Sequence, residues 1–145
     1  MEAIGEGVRF QVVNSWNCDD IISLYRSAGW WDESFAPEGI PALITGSYLF
    51  VVGFLPEEKR AVAMGRILSD SVLTGYIQDL CVQEGMRGRA IGTGLLRFLI
   101  RAAIDAGLSR LYLIAETGTE GFYIKSGFIR KEGLIFLIQN PDDYS

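Results

Sequence analysis

The sequence predicts an α/β fold: a mixed, mostly antiparallel twisted sheet flanked by helices. Three observations predict it. The strand-like runs Tyr48–Phe54, Ala61–Leu68 and Thr74–Val82 are separated by short turn compositions and read as an antiparallel meander. A long helical pattern then separates Thr74–Val82 from a further apolar strand, Leu111–Ala115, and this β-α-β unit implies one parallel pair in the sheet. Hydrophobic residues at 49% and charged residues at 21% of 145 suit one packed core, not a disordered chain.

Each element follows from local signals. Val8, Phe10 and Val12 alternate with Arg9 and Gln11, which is a strand pattern through Val13. Asn17 precedes Ile21, Leu24, Tyr25 and Ala28 at helical spacing, and Gly29 is placed to end that helix. Trp30 and Trp31 follow in a loop, and a short second helix is expected from about Pro37 to Thr45, stopped by Gly46. The meander comes next, with Pro56-Glu57-Glu58-Lys59 and Ser69-Asp70-Ser71 at its turns. Leu95, Leu96, Leu99, Ile100, Ala103 and Ile104 share one helical face, opposite Arg97, Arg101 and Asp105, and Gly107 ends the helix. After Leu111–Ala115, a small helix near Glu120–Ser126 and strands around Phe128–Arg130 and Leu134–Ile138 complete the order β-α-α-β-β-β-α-β-α-β-β. No repeat, low-complexity segment or linker divides it, so residues 1–145 read as one domain.

Composition removes several chemistries. The chain has no histidine, which excludes Ser-His-Asp and Cys-His machinery. Cys18 and Cys81 are distant and form no CxxC, so no disulfide framework is implied and a reducing cytoplasm fits. Two distant cysteines with carboxylates are poor material for a zinc site, and no metal is expected. A formal net charge of -5 gives no global basic footprint for nucleic acid. The acidic N-terminus lacks the apolar region of a signal peptide, and no apolar run approaches the roughly 18 residues of a membrane span.

The stretch from Gln83 to Leu96, QEGMRGRAIGTGLL, brings two arginines and four glycines to the start of the long helix. It is not a Walker loop, because Gly88 and Gly92 are wrongly spaced and no lysine follows. It is not a dinucleotide fingerprint, because Leu95-Leu96-Arg97 follows Gly92-Thr93-Gly94 and the third glycine is missing. Two readings stay open on these residues: a capped helix with solvated arginines, or a pyrophosphate loop between an antiparallel strand and a helix. The second has a physical basis in unpaired N–H groups, the positive end of the helix dipole and close backbone approach.

Arg87-Gly88-Arg89-Ala90-Ile91-Gly92 resembles the Gln/Arg-x-x-Gly-x-Gly/Ala motif of the GNAT superfamily of N-acetyltransferases. Asp79-Leu80-Cys81-Val82 ahead of it is similar to that family's fourth strand. Gly121-Phe122-Tyr123-Ile124-Lys125-Ser126-Gly127-Phe128 resembles its FYxKxGF segment, and the element order matches over nearly the whole chain. The resemblance implies that the fourth predicted strand bulges and splays from the fifth, opening a V-shaped notch. It implies acetyl-CoA as co-substrate and direct transfer to a primary amine of a small molecule or peptide.

The resemblance also assigns residues. Backbone groups of Leu80, Cys81 and Val82 would pair with the pantetheine arm, and one N–H there would hold the oxyanion. Arg87, Gly88, Arg89, Ala90, Ile91, Gly92 and Thr93 would hold the pyrophosphate, with Phe122 and Lys125 also at the co-substrate. Tyr123 would donate a proton to the departing thiolate. Asp79, Glu116 or a water chain would serve as the base. Trp30, Trp31 and Glu33, with Asp32 and Phe35 beside them, would shape the acceptor site, where acidic and aromatic residues suit a cationic amine. Two positions depart from the family pattern: Ala90 stands where glycine is usual and fits only where φ is negative, and Glu116 stands where many relatives have asparagine. The alternative is a non-catalytic sensor or interaction module that binds CoA on the same fold. The apolar strand Leu134–Ile138 would pair with a second subunit across a sheet edge, giving a homodimer.

Overall fold

A computed structural model describes residues 2–4 and 7–139. Residues up to Ile114 form one compact unit, and those from Ala115 onward form a second.

Among the described residues, the first unit holds a six-stranded sheet in chain order. β1 (Glu2–Ile4), β2 (Val8–Val12), β3 (Leu49–Leu55), β4 (Arg60–Ser69) and β5 (Thr74–Val82) are antiparallel neighbours. β6 (Arg110–Tyr112) joins β5 in parallel. The expected meander is present, with the third of its strands at the predicted bounds. Its turns form for local reasons. Lys59, with φ of 50°, donates its N–H to the Leu55 carbonyl at 2.7 Å. Asp70 Oδ1 accepts the N–H groups of Val72, Leu73 and Thr74, which also hold its carboxyl below the usual range. β1 has no counterpart in the sequence reading, because three residues are too few to show a period.

One face of the sheet carries α1 (Cys18–Ser27) and α2 (Ile40–Thr45), the latter entered through a 3₁₀ turn, Pro37–Gly39. The side chain of Asn17 caps α1 by accepting the Asp20 N–H at 3.1 Å. Asp20 Oδ2 in turn accepts the Trp16 indole N–H at 2.8 Å and the Ala61 N–H at 3.0 Å, which ties the helix start to β4. Ile21, Ile22, Leu24 and Tyr25 then pack with Ile40 and Ile44 over Phe50, Val52, Phe54 and Met64. Burying each such aliphatic side chain contributes roughly 1.5–3 kcal/mol.

α3 (Ile91–Asp105) covers the other face with Leu95, Leu96, Leu99 and Ala103 buried. Phe98 meets Phe10 of β2 at 6.0 Å between ring centroids. The helix seats most closely at Gly65 of β4, where an added Cβ would lie 2.8 Å from Leu99 Cδ1.

The second unit contains α4 (Glu120–Ile124). The expected strands at Phe128–Arg130 and Leu134–Ile138 are not formed. Leu134 and Leu137 are 73% and 85% exposed, and among the described residues the second unit holds no strand to pair with them. An apolar run supplies the side chains of a strand but not its partner.

Candidate active site

The site begins where β5 parts from β6. Thr74, Gly75 and Tyr76 pair with Arg110, Leu111 and Tyr112, and there the pairing stops. The seam is tight at Gly75, where a Cβ would stand 2.8 Å from Leu111 and 3.0 Å from both Ile67 and Leu108. From Ile77 to Val82, β5 is paired with β4 alone. This is the splay expected from the sequence, one edge of backbone left without a neighbouring strand among the described residues.

A bulge turns β5 at the same place. Met64 pairs with Cys81 and Arg66 with Gln78, so Asp79 and Leu80 together oppose Gly65. Asp79 takes a left-handed φ of 57°. Such a bulge bends its strand and re-aims the residues beyond it. Tyr25 Oη donates to Asp79 Oδ2 at 2.6 Å, and Arg66 Nε donates to the same oxygen at 2.8 Å. Arg66 also donates from Nη2 to Gln78 Oε1 at 3.1 Å. Burial and the hydrogen bond to Asp79 push the Tyr25 phenol far up. Tyr25 and Arg66 were absent from the sequence-derived site. Tyr25 reads there as one more core residue of α1, but an arginine inside the apolar run AVAMGRILS is a signal that a buried partner awaits it.

Cys81 lies just past the bulge. It is buried, with Sγ 3.8 Å from the Leu24 carbonyl. Burial, with Asp79 adding, pushes its thiol up to about 12. It stays protonated at neutral pH and is no nucleophile. Leu80 and Val82 flank it, half-buried.

The glycine-rich loop then leads into α3. Gly88 has φ of 82° and Ala90, at the N-cap, has φ of 62°. The Ala90 position therefore does demand the left-handed conformation, which alanine adopts at a cost. Ala90 offers no side-chain cap, so the first-turn N–H groups of α3 are left to a ligand or to water. Arg89 is exposed beside them. Arg87 faces elsewhere: its guanidinium donates to the carbonyls of Val82 at 3.0 Å and Ser27 at 3.3 Å. The Ser27 hydroxyl also accepts the Glu84 N–H at 2.9 Å, so the loop is stitched to the end of α1. Ala90→Gly is expected to raise stability by about 1 kcal/mol, because an L-residue in this conformation costs roughly 1–2 kcal/mol and glycine's added chain entropy offsets part of the gain. Urea unfolding checks it, and a loss of stability would show that the strain is absent.

The expected acceptor residues form an aromatic cluster on the α1–α2 side. Trp31 packs against the core and meets Phe35 edge-on at 5.6 Å. Tyr25 lies 6.4 Å from both Trp30 and Trp31. Trp30 is 37% exposed. Glu33 accepts from Arg26 at 2.8 Å in an exposed pair, and Asp32 is held below the usual carboxylate range by the Ser34 N–H and hydroxyl.

The second unit holds the remaining expected residues. Tyr123 meets Phe122 at 5.0 Å and Phe128 at 6.2 Å, both edge-on. Burial, and then the Glu116 carboxylate, push its phenol up. The Glu116 carbonyl anchors the turn before α4 by accepting the Thr119 hydroxyl at 2.7 Å and N–H at 3.0 Å. Lys125 caps α4 and is exposed. Among the described residues, no group of three or more Cys, Asp or Glu side chains stands ready for a metal ion, and no helix is long and apolar enough to cross a membrane.

A mixed sheet that opens beside a parallel junction, with a helix starting at the opening, is the fold this chain shares with solved acetyltransferases. Residues 13–128 match the acetyltransferase (GNAT) family, and the chain belongs to it. It is 32% identical over 72 residues to the histone acetyltransferase TAP1 of Glycine max, covering 50% of this chain and 31% of that protein. It is 30% identical over 95 residues to glucosamine 6-phosphate N-acetyltransferase 1 of Oryza sativa subsp. japonica, covering 63% of this chain and 53% of that protein. The chain thus spans 31% and 53% of the length of these two curated relatives. The solved glucosamine-6-phosphate N-acetyltransferase of Arabidopsis thaliana has a TM-score of 0.73 over 92% of this chain and 99% of that one, at 17% identity, which is a likeness of fold.

Proposed function

We propose that this chain is an acetyl-CoA-dependent N-acetyltransferase that moves the acetyl group directly to a primary amine. One observation carries the reading: β5 is released from β6 after Tyr76, and the uncapped start of α3 follows on the same connection. The donor set fits the co-substrate. Backbone groups between Ile77 and Val82 on the edge of β5 turned away from β4 suit the amide groups of a pantetheine arm. The first-turn N–H groups of Ile91, Gly92 and Thr93, with exposed Arg89, suit a pyrophosphate. Acetyl-CoA supplies the activated acyl group when bound.

The chain's own residues do the rest. A backbone N–H beside the bulge holds the oxyanion as the amine nitrogen bonds to the acyl carbon. The C–S bond breaks, and Tyr123, still a neutral phenol, gives its proton to the thiolate. The amine gives up its proton to Glu116 or to water. Phe122 and Lys125 contact the same co-substrate. Trp30 and Trp31 offer ring faces to a cationic acceptor, with Glu33 as its counter-charge. The names of the two relatives, one a histone and one a glucosamine 6-phosphate acetyltransferase, support an acceptor of peptide or small-molecule kind. Free cysteines at positions 18 and 81 support a cytoplasmic setting, and the exposed apolar run Leu134–Ile138 supports self-association.

Thermal unfolding with acetyl-CoA, and with ATP and NADH as controls, tests the reading. Ligand at about 100 times its Kd adds roughly 2.7 kcal/mol. The expected result is a rise of several degrees specific to acetyl-CoA. No rise at millimolar acetyl-CoA would overturn it.

A further inference from the structure

We infer that Tyr25 and Arg66 act through Asp79 as positioning residues, clamping the left-handed bulge of β5 so that the released strand keeps the shape that receives the acyl donor. The inference rests on the proposed reading for its ligand, but the clamp itself is a property of the chain.

Three observations converge. Asp79 takes a left-handed φ of 57° inside a strand, where the extended conformation is the rule, so the local backbone departs from its neighbours at this residue. Its Oδ2 is held from two directions, by Tyr25 of α1 and Arg66 of β4, at 2.6 and 2.8 Å. Both donors are sheltered: Tyr25 is buried, and the side chains of Arg66 and Asp79 are only 16% and 26% exposed. Sheltered, charge-assisted hydrogen bonds are the strong kind. Arg66 reaches Gln78 as well and so grips both residues on the near side of the bulge. Opposite them lies Gly65, with Leu80 Cα in ordinary contact distance of a Cβ there, at 3.7 Å. The clamp thus fixes the backbone at Leu80 and Cys81 by its side chains, with no part in proton transfer.

The test uses Tyr25→Phe, Asp79→Asn and Asp79→Ala. The first readout is amide hydrogen exchange in the unliganded chain. Tyr25→Phe should quicken exchange at Leu80 to Val82 by about tenfold, the low end for one lost charge-assisted bond, and leave α3 unchanged. Equal rates overturn the clamp, whatever acetyl-CoA does. The second readout is acetyl-CoA affinity by calorimetry, with kcat and KM. Asp79→Ala should weaken affinity by about 30-fold, whereas Asp79→Asn should stay within about fivefold of wild type, because asparagine tolerates the left-handed region and its oxygen still accepts both donors. The pH–rate profile should keep its shape in all variants. If Asp79→Asn is as slow as Asp79→Ala, with normal affinity and a lost acid limb, Asp79 is the base and the inference falls. If wild type itself has no affinity for acetyl-CoA while exchange responds as stated, the acetyltransferase reading falls and the clamp remains. Should Asp79→Ala fail to fold, Tyr25→Phe decides alone.

Discussion

Tyr123→Phe is expected to lower kcat by about 10²-fold or more, the usual range for removing a general acid. The phenol is well prepared for that task. Burial and the nearby Glu116 carboxylate both disfavour the phenolate, so the proton is present throughout the neutral range and beyond the ordinary value of 10.0. Phe122 and Phe128 pack edge-on against its ring, so phenylalanine keeps the shape and removes only the hydroxyl. The departing thiolate must then take its proton from water. Steady-state kinetics with a fixed amine checks this, and the KM for acetyl-CoA should move little. Wild-type turnover in Tyr123→Phe would return this tyrosine to a packing role.

The second large effect is on stability at alkaline pH. The folded chain raises Cys81 from 9.0 to about 12. A raised pKa contributes stability that is whole below the unfolded value and lost as pH climbs towards the folded one. The loss begins near pH 9, runs at about 1.4 kcal/mol per unit and reaches about 4 kcal/mol by pH 12. Tyr25, also raised, adds its own loss above pH 10. Urea unfolding of wild type and Cys81→Ala at pH 8 and pH 10 separates the two. The alanine variant should lose about 1.4 kcal/mol less over that interval. Equal losses would mean that the thiol is not as sheltered as its burial suggests.

The sequence signals that worked were local. Asn17 before a helical stripe, Asp70 inside a turn and Gly107 after α3 each act on residues within a few positions, and the structure has α1, the β4–β5 turn and the end of α3 at those places. The glycine-arginine loop was legible for the same reason. The bulge was legible only through the family resemblance. TGYIQDLCV itself reads as an unbroken strand, and the groups that hold its bend, Tyr25 and Arg66, lie 54 and 13 residues from Asp79. Nor does sequence carry φ, so the strain at Ala90 could be posed only as a condition. The strands expected at Phe128–Arg130 and Leu134–Ile138 failed for a third reason: apolar alternation describes one strand, whereas a sheet is made by two.

The seam between β5 and β6 is three residue pairs long. Local opening follows the free energy of each cooperative unit, not that of the whole fold. A seam this short comes apart far more often than the long ladders of β3, β4 and β5. The three pairs and the close fit around Gly75 set where the split in the sheet begins, so the size of the notch depends on how well those few bonds hold.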